Sequence, residues 1–214
     1  SLNLVNPDYK NVSSNYFSLN DKSIILSKGY LNLDRKIENL DIYYRYAPNN
    51  QLWNSTDRWK RIIPNINKKQ LILTSLISLN ASILNFLRED KLNITLNLIS
   101  DVSDDAFDNE ILRKLDDKKI NVKFIKSKIK GNRGTYLECC DCAENAKDLI
   151  FFIEDDYLFE DKCIKEMIFT YSRLSTLFEK DIFLCPSDYP FYYDSSYNTS
   201  IYLGMNYKWR DVKE

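Results

Sequence analysis

From residue 41 to residue 185, short apolar runs alternate with longer amphipathic stretches, and the two spacings predict strands and helices in turn. Asp41-Ile42-Tyr43-Tyr44-Arg45-Tyr46 reads as a first strand, stopped by Ala47-Pro48-Asn49-Asn50. Residues 70–88 have the length and apolar density of a helix, with Leu73, Leu76, Ile77, Leu84 and Leu87 as buried candidates. A second strand spans residues 92–99, a short helix residues 107–115, and a third strand residues 122–125. Thr135-Tyr136-Leu137-Glu138 has the form of a capping box opening a helix that runs to about Lys147. Leu149-Ile150-Phe151-Phe152-Ile153 then reads as a buried central strand. A helix over residues 161–178 and a fifth strand over residues 181–185 complete the alternation.

This order predicts an α/β fold: a mostly parallel central sheet with helices on both faces, Rossmann-like, with a Tyr-rich C-terminal extension. Residues 1–40 are weakly patterned and read as a peripheral lead-in. Residues 41–214 read as one domain. No internal repeat is visible.

Composition narrows the chemistry. Among 214 residues there is no histidine, which removes Ser-His-Asp and Cys-His catalysis and histidine metal sites from this sequence. A net charge of −1 argues against a nucleic-acid partner held mainly by charge. No run approaches the about 20 apolar residues of a membrane span, because polar residues interrupt residues 71–87. Of the five cysteines, three crowd at Cys139, Cys140 and Cys142, where Cys139 and Cys142 would share one face of a helix and pack like small hydrophobes. They read as reduced structural thiols, and with no secretory pattern at Ser1 the expected setting is cytoplasmic.

The candidate chemistry lies at the predicted strand ends. Five apolar residues run straight into Glu154-Asp155-Asp156, and adjacent anions repel unless something positive joins them. In open α/β sheets, ligands bind outside the carboxyl ends of the strands. Arg45 and Asp101 with Ser103 stand at two further ends. Together these offer a cation for phosphate, a carboxylate for a base or ribose, and a metal cluster; the alternative is a solvated acidic turn.

The stretch from Gly131-Asn132-Arg133-Gly134-Thr135 through Ala143-Glu144-Asn145-Ala146 to Phe151-Phe152-Ile153-Glu154-Asp155-Asp156 resembles glycosyltransferases of the GT-A fold. In that family a small-residue loop, a helix and a hydrophobic strand lead to a D-x-D-type motif. The resemblance covers roughly residues 41–190 and implies a metal-dependent glycosyltransferase moving a sugar from a nucleotide-sugar donor to a glycan or other hydroxyl acceptor. Asp156 would be the principal ligand of Mn²⁺ or Mg²⁺, with Glu154 binding metal or facing the ribose and Asp155 assisting. Arg45, Asp101 and Arg133 would contact the donor, residues 41–156 would be the nucleotide-binding half of the domain, and residues 157–214 its acceptor-side part. The triplet departs from the family pattern by opening with Glu.

An inverting transferase also needs a base for the acceptor proton, and Asp188 in Pro186-Ser187-Asp188-Tyr189-Pro190 is the candidate, with Asp194 second. Asp188 reads equally as a turn cap before Pro190. The tail aromatics Tyr189, Phe191, Tyr192, Tyr193, Tyr197, Tyr202, Tyr207 and Trp209 suit either sugar stacking or strand packing. Trp53 and Trp59, amid Arg58, Lys60 and Arg61, either cover a nucleotide or anchor their loop. The lysines from Lys118 to Lys130 read as a solvated edge or as an attractor for an anionic donor. Two rival functions are a non-catalytic or degenerate nucleotide-sugar or glycan-binding module and a sugar nucleotidyltransferase. The second would carry a Gly-rich loop after its first strand, where this chain has Ala47-Pro48-Asn49.

Overall fold

The computed structural model describes residues 24–25, 37–49, 66–102, 104–115, 119–186, 201–203 and 208–210. The chain divides into two compact units, Ile37–Asp161 and a second formed by Ser1–Lys36 with Lys162–Glu214.

The first unit is built on a four-stranded, all-parallel sheet. With β1 (Ile24–Ile25) assigned to the other unit, its strands are β2 (Asn39–Arg45), β3 (Asn93–Ser100), β4 (Ile120–Lys126) and β5 (Leu149–Glu154). They lie in the order β4-β3-β2-β5. Helices α1 (Lys68–Glu89), α2 (Asp105–Lys114) and α3 (Gly131–Ala143) form the three crossovers. The expected α/β alternation is therefore the architecture of this unit.

Strand periodicity divides β2 between the two faces of the sheet. Leu40, Ile42 and Tyr44 point to the side of α1, where the Tyr44 hydroxyl approaches Ser75. Leu96 and Leu98 of β3 and Ile153 of β5 stand beside them in register. Tyr43 points to the opposite face, packs with Ile99 and Cys139, and donates its hydroxyl to the Cys142 carbonyl of α3 at 3.1 Å. Both faces are thus covered, which is why β2 and β3 carry nearly continuous apolar runs.

Details of this unit differ from the sequence reading. β5 is an edge strand rather than a central one, and its Ile150 and Phe152 are 43% and 44% exposed. Helix α3 starts four residues before Thr135, whose hydroxyl instead bonds back to Asn132 O at 3.0 Å. Glu138 reaches outside the helix to accept from Lys128 N at 3.1 Å, so the local Thr-x-x-Glu pattern is used for a loop contact and not as a capping box. A true capping box, Asn67 with Gln70, opens α1. Finally, α1 is by length and composition long and apolar enough to cross a membrane, contrary to the expectation that no segment would be. Its Ile72, Leu76, Leu79, Ile83 and Phe86 are buried in the fold.

Beyond β5 the chain returns along α1: Phe159 N donates to the Ser78 hydroxyl at 3.1 Å, and Asn85 donates to Asp161 O at 3.0 Å. In the second unit, α4 (Cys163–Phe178) closes on Glu179 in the left-handed region, φ 54°. The expected strand at residues 181–185 is not formed; Asp181 accepts from the Tyr171 hydroxyl at 2.5 Å and Phe183 is fully exposed. β1 pairs in parallel with β6 (Ile201–Leu203), which pairs antiparallel with β7 (Lys208–Arg210).

The turn into α3 depends on two glycines. Gly131 sits at φ +85°, a conformation that suits glycine. At Gly134 an added Cβ would lie 2.0 Å from the Ile129 carbonyl oxygen. Gly134→Ala is therefore expected to cost about 1–3 kcal/mol as the loop is forced off the helix. Gly131→Ala, which meets open space and only backbone strain, should cost about 1–2 kcal/mol. Urea unfolding midpoints of the two variants check both.

Candidate functional site

The sheet order fixes where a ligand would sit. From β2 the chain winds outward through β3 to β4, then crosses back to place β5 on the other side of β2. The winding reverses between β2 and β5, and the crevice beyond their carboxyl ends is the topological switch point of an open α/β sheet. Arg45 and Glu154 are register partners at that point.

Successive residues at a strand end leave on opposite faces, and this disperses the acidic triplet. Glu154 turns to the α3 side and pairs with Arg45. Arg45 also donates to the Asn132 carbonyl at 3.1 Å and to its side-chain oxygen at 2.8 Å, and its guanidinium lies 5.5 Å from the centre of the Tyr136 ring. Asp155 turns to the α1 side. One of its oxygens accepts from Lys68 Nζ at 2.6 Å and the other from the Ala47 backbone N–H at 2.9 Å. Asp156 lies in the turn beyond and is exposed, with no ion pair among the described residues.

The other expected contacts are spread along the same rim. Asp101, at the end of β3, accepts from Gly131 N at 2.6 Å and so pins the start of α3. Arg133 is exposed and makes no hydrogen bond or ion pair among the described residues. Asp188, Asp194, Ser103, Trp53, Trp59, Arg58, Lys60, Arg61 and Lys118 lie outside the described residues, as do Tyr189, Phe191, Tyr192, Tyr193, Tyr197 and Tyr207. Tyr202 and Trp209 fall in β6 and β7.

Sequence reasoning missed Lys68, Lys69, Asn132 and the Ala47 N–H. A signal for the lysines was present. The first turn of a helix favours acids, yet α1 opens with Lys68-Lys69 and no acid. Two cations at a positive helix end need anions from elsewhere, and Asp155 and Asp104 supply them; Lys69 Nζ stands 2.5 Å from Asp104. Asp104 in turn caps α2 by accepting from Phe107 N at 3.1 Å. The ammonium of Lys69 and that N–H hold its carboxyl below the usual range.

Tyrosines line the sheet beneath the rim. Burial, then Asp41, push Tyr43 up to about 12. Burial raises Tyr44 further, and its hydroxyl and that of Ser75 face each other without completing a hydrogen bond. Tyr46 is raised by burial and by donating to Asp108 at 2.7 Å, while burial pushes the Asp108 carboxyl up. Burial also takes the Cys139 thiol up to about 12, which suits a packing role rather than a nucleophile.

A hard divalent cation wants about six oxygen ligands converging on one point. No group of three carboxylates or thiolates converges in this way among the described residues. Glu154 and Asp155 diverge to separate cations, so as arranged they do not fit Mn²⁺ or Mg²⁺. Comparison of the chain with protein-family models, with curated proteins and with solved structures yields no match.

Two measurements follow from this geometry. Asp155→Asn leaves Lys68 without its anion in a mostly buried place and should cost about 3 kcal/mol. Asp156→Asn, at an exposed position, should stay within about 0.5 kcal/mol. Thermal unfolding of the two variants separates them. The tyrosines set an alkaline limit: a hydroxyl raised in the folded state contributes stability that is complete below its unfolded value, about 10, and lost as pH climbs through the folded one. Stability is expected to fall above about pH 10 together with the appearance of tyrosinate absorbance.

Proposed function

We propose that this protein is a glycosyltransferase that takes a sugar from a nucleotide-sugar donor to an acceptor hydroxyl, with Ile37–Asp161 binding the donor. The observation that carries this reading is the switch point between β2 and β5, with Arg45 and the acidic triplet at its carboxyl rim. Arg45, Lys68 and Arg133 are the candidate partners for the phosphates. Charge that develops on a leaving diphosphate is stabilised by such fixed cations at little cost in reorganisation. Asp101, tied to Gly131, is the candidate nearest to a ribose or base, and Asp188 keeps its place as the candidate base for the acceptor proton.

One observation favours a second reading, a non-catalytic module that binds a nucleotide sugar or glycan. Glu154 and Asp155 are both engaged in holding the rim together through Arg45 and Lys68, and Asp155 is also buried.

A panel of UDP-, GDP-, CMP- and dTDP-sugars with the full chain tests both readings. At 100 times its dissociation constant, a true donor should stabilise the protein by about 2.7 kcal/mol, a rise of several degrees in Tm. Arg45→Ala should abolish the rise. Release of free nucleotide with a hydroxyl acceptor present marks the transferase; binding without release marks the module. If no nucleotide sugar shifts the midpoint, the donor-binding reading is overturned.

A further inference from the structure

Of the three carboxylates expected to gather a divalent cation, Glu154 and Asp155 are each matched to a cation of the protein. Glu154 is held by Arg45 on one face of the sheet and Asp155 by Lys68 on the other. From this pairing, and resting on the donor-binding reading above, we infer that the rim binds a nucleoside diphosphate without a divalent metal, with Arg45 and Lys68 supplying the positive charge.

The inference follows from what each kind of ligand would have to break. To recruit both Glu154 and Asp155, which turn to opposite faces of the sheet, a metal must draw at least one of them away from its cation. The metal's two charges would then stand near a freed cation, Arg45 at 15% or Lys68 at 16% side-chain exposure. Both oxygens of Asp155 are already satisfied, and the Ala47 N–H would lose its acceptor as well. Of the triplet, only Asp156 has no ion pair among the described residues, and one such carboxylate is a poor site for a hard cation.

A diphosphate breaks nothing. An ammonium has three donors and a guanidinium five, and both keep donors beyond those given to their carboxylates. Lys68 gives Asp155 one hydrogen bond, while Arg45 gives three in all to Glu154 and Asn132. Anionic oxygens can share these cations while the ion pairs stay closed, and exposed Arg133, next to Asn132 at the start of α3, adds a further charge. Because the carboxylates stay in place, the net attraction is modest and screened by salt.

The test is calorimetric titration of the full chain at low ionic strength with UDP, GDP, CDP and dTDP, each in EDTA and in Mn²⁺, beside a titration with MnCl₂ alone. The expected result is one nucleoside diphosphate binding with dissociation constants within about twofold in the two buffers, and no saturable uptake of Mn²⁺ alone. Lys68→Gln should weaken that nucleotide about tenfold or more in both buffers, the loss of one charge-assisted contact. Since Lys68→Gln also unpairs Asp155, the Lys68→Gln/Asp155→Asn double variant, which removes both charges, is measured beside it and should bind as weakly. Binding that needs Mn²⁺ overturns the inference and leaves the donor-binding reading standing. Binding in EDTA that both Lys68 variants retain at full strength overturns the role of Lys68. No binding of any of the four nucleotides in either buffer overturns the inference and the donor-binding reading together.

Discussion

The contact between Lys68 and Asp155 ties the start of α1 to the rim end of β5. Asp155 follows β5, Lys68 begins α1, and the Ala47 N–H that shares the carboxylate follows β2. The three are far apart in sequence, and the attraction of one mostly buried ion pair holds their ends in a common place. On the opposite face, Arg45 does the corresponding work between β2, β5 and the start of α3. The rim is closed by ionic contacts from both sides, while the sheet below it is closed by apolar ones. Side chains that hold a crevice in shape are also those best placed to meet an anion entering it.

The layered fold was legible because it follows from local rules. Apolar runs of strand length alternate with helical stretches, and a parallel sheet covered on both faces is the stable way to bury them. The observed strands and helices of the first unit fall where the patterning puts them, shifted by a residue or two at most ends. The failures are equally physical. Residues 149–153 are as apolar as a central strand, but the sequence does not say what lies beside them, and they form an edge. Thr135 and Glu138 have capping-box spacing, but the tight turn at Gly131 lets the helix begin earlier, and Glu138 then finds the Lys128 N–H instead. The run at residues 181–185 has strand composition but no ladder to join among the described residues.

The candidate site was legible in place and not in partnership. Arg45, Asp101 and the triplet were identified from their position after apolar runs, and they do stand at strand ends. Which cation each carboxylate meets depends on the sheet order and on the face each side chain takes, and neither is written in a local motif. The patterning starts the helix at residue 70, which leaves Lys68 and Lys69 as loop residues, whereas they form its first turn. Only their disagreement with the helix dipole marks them as answering charges elsewhere.

The alternation that sends Glu154 to one face and Asp155 to the other also makes β5 a strand that must keep count. Deleting or inserting one residue between Leu149 and Glu154 would exchange the two faces, setting a carboxylate where the other's cation is not and turning Phe152 from Tyr43 toward the opposite layer. Substitution within the strand is a lesser disturbance, since half of its side chains are exposed. Among homologous chains the length of this strand would then be more constant than its letters. An alignment that opened a gap there would be describing a different protein.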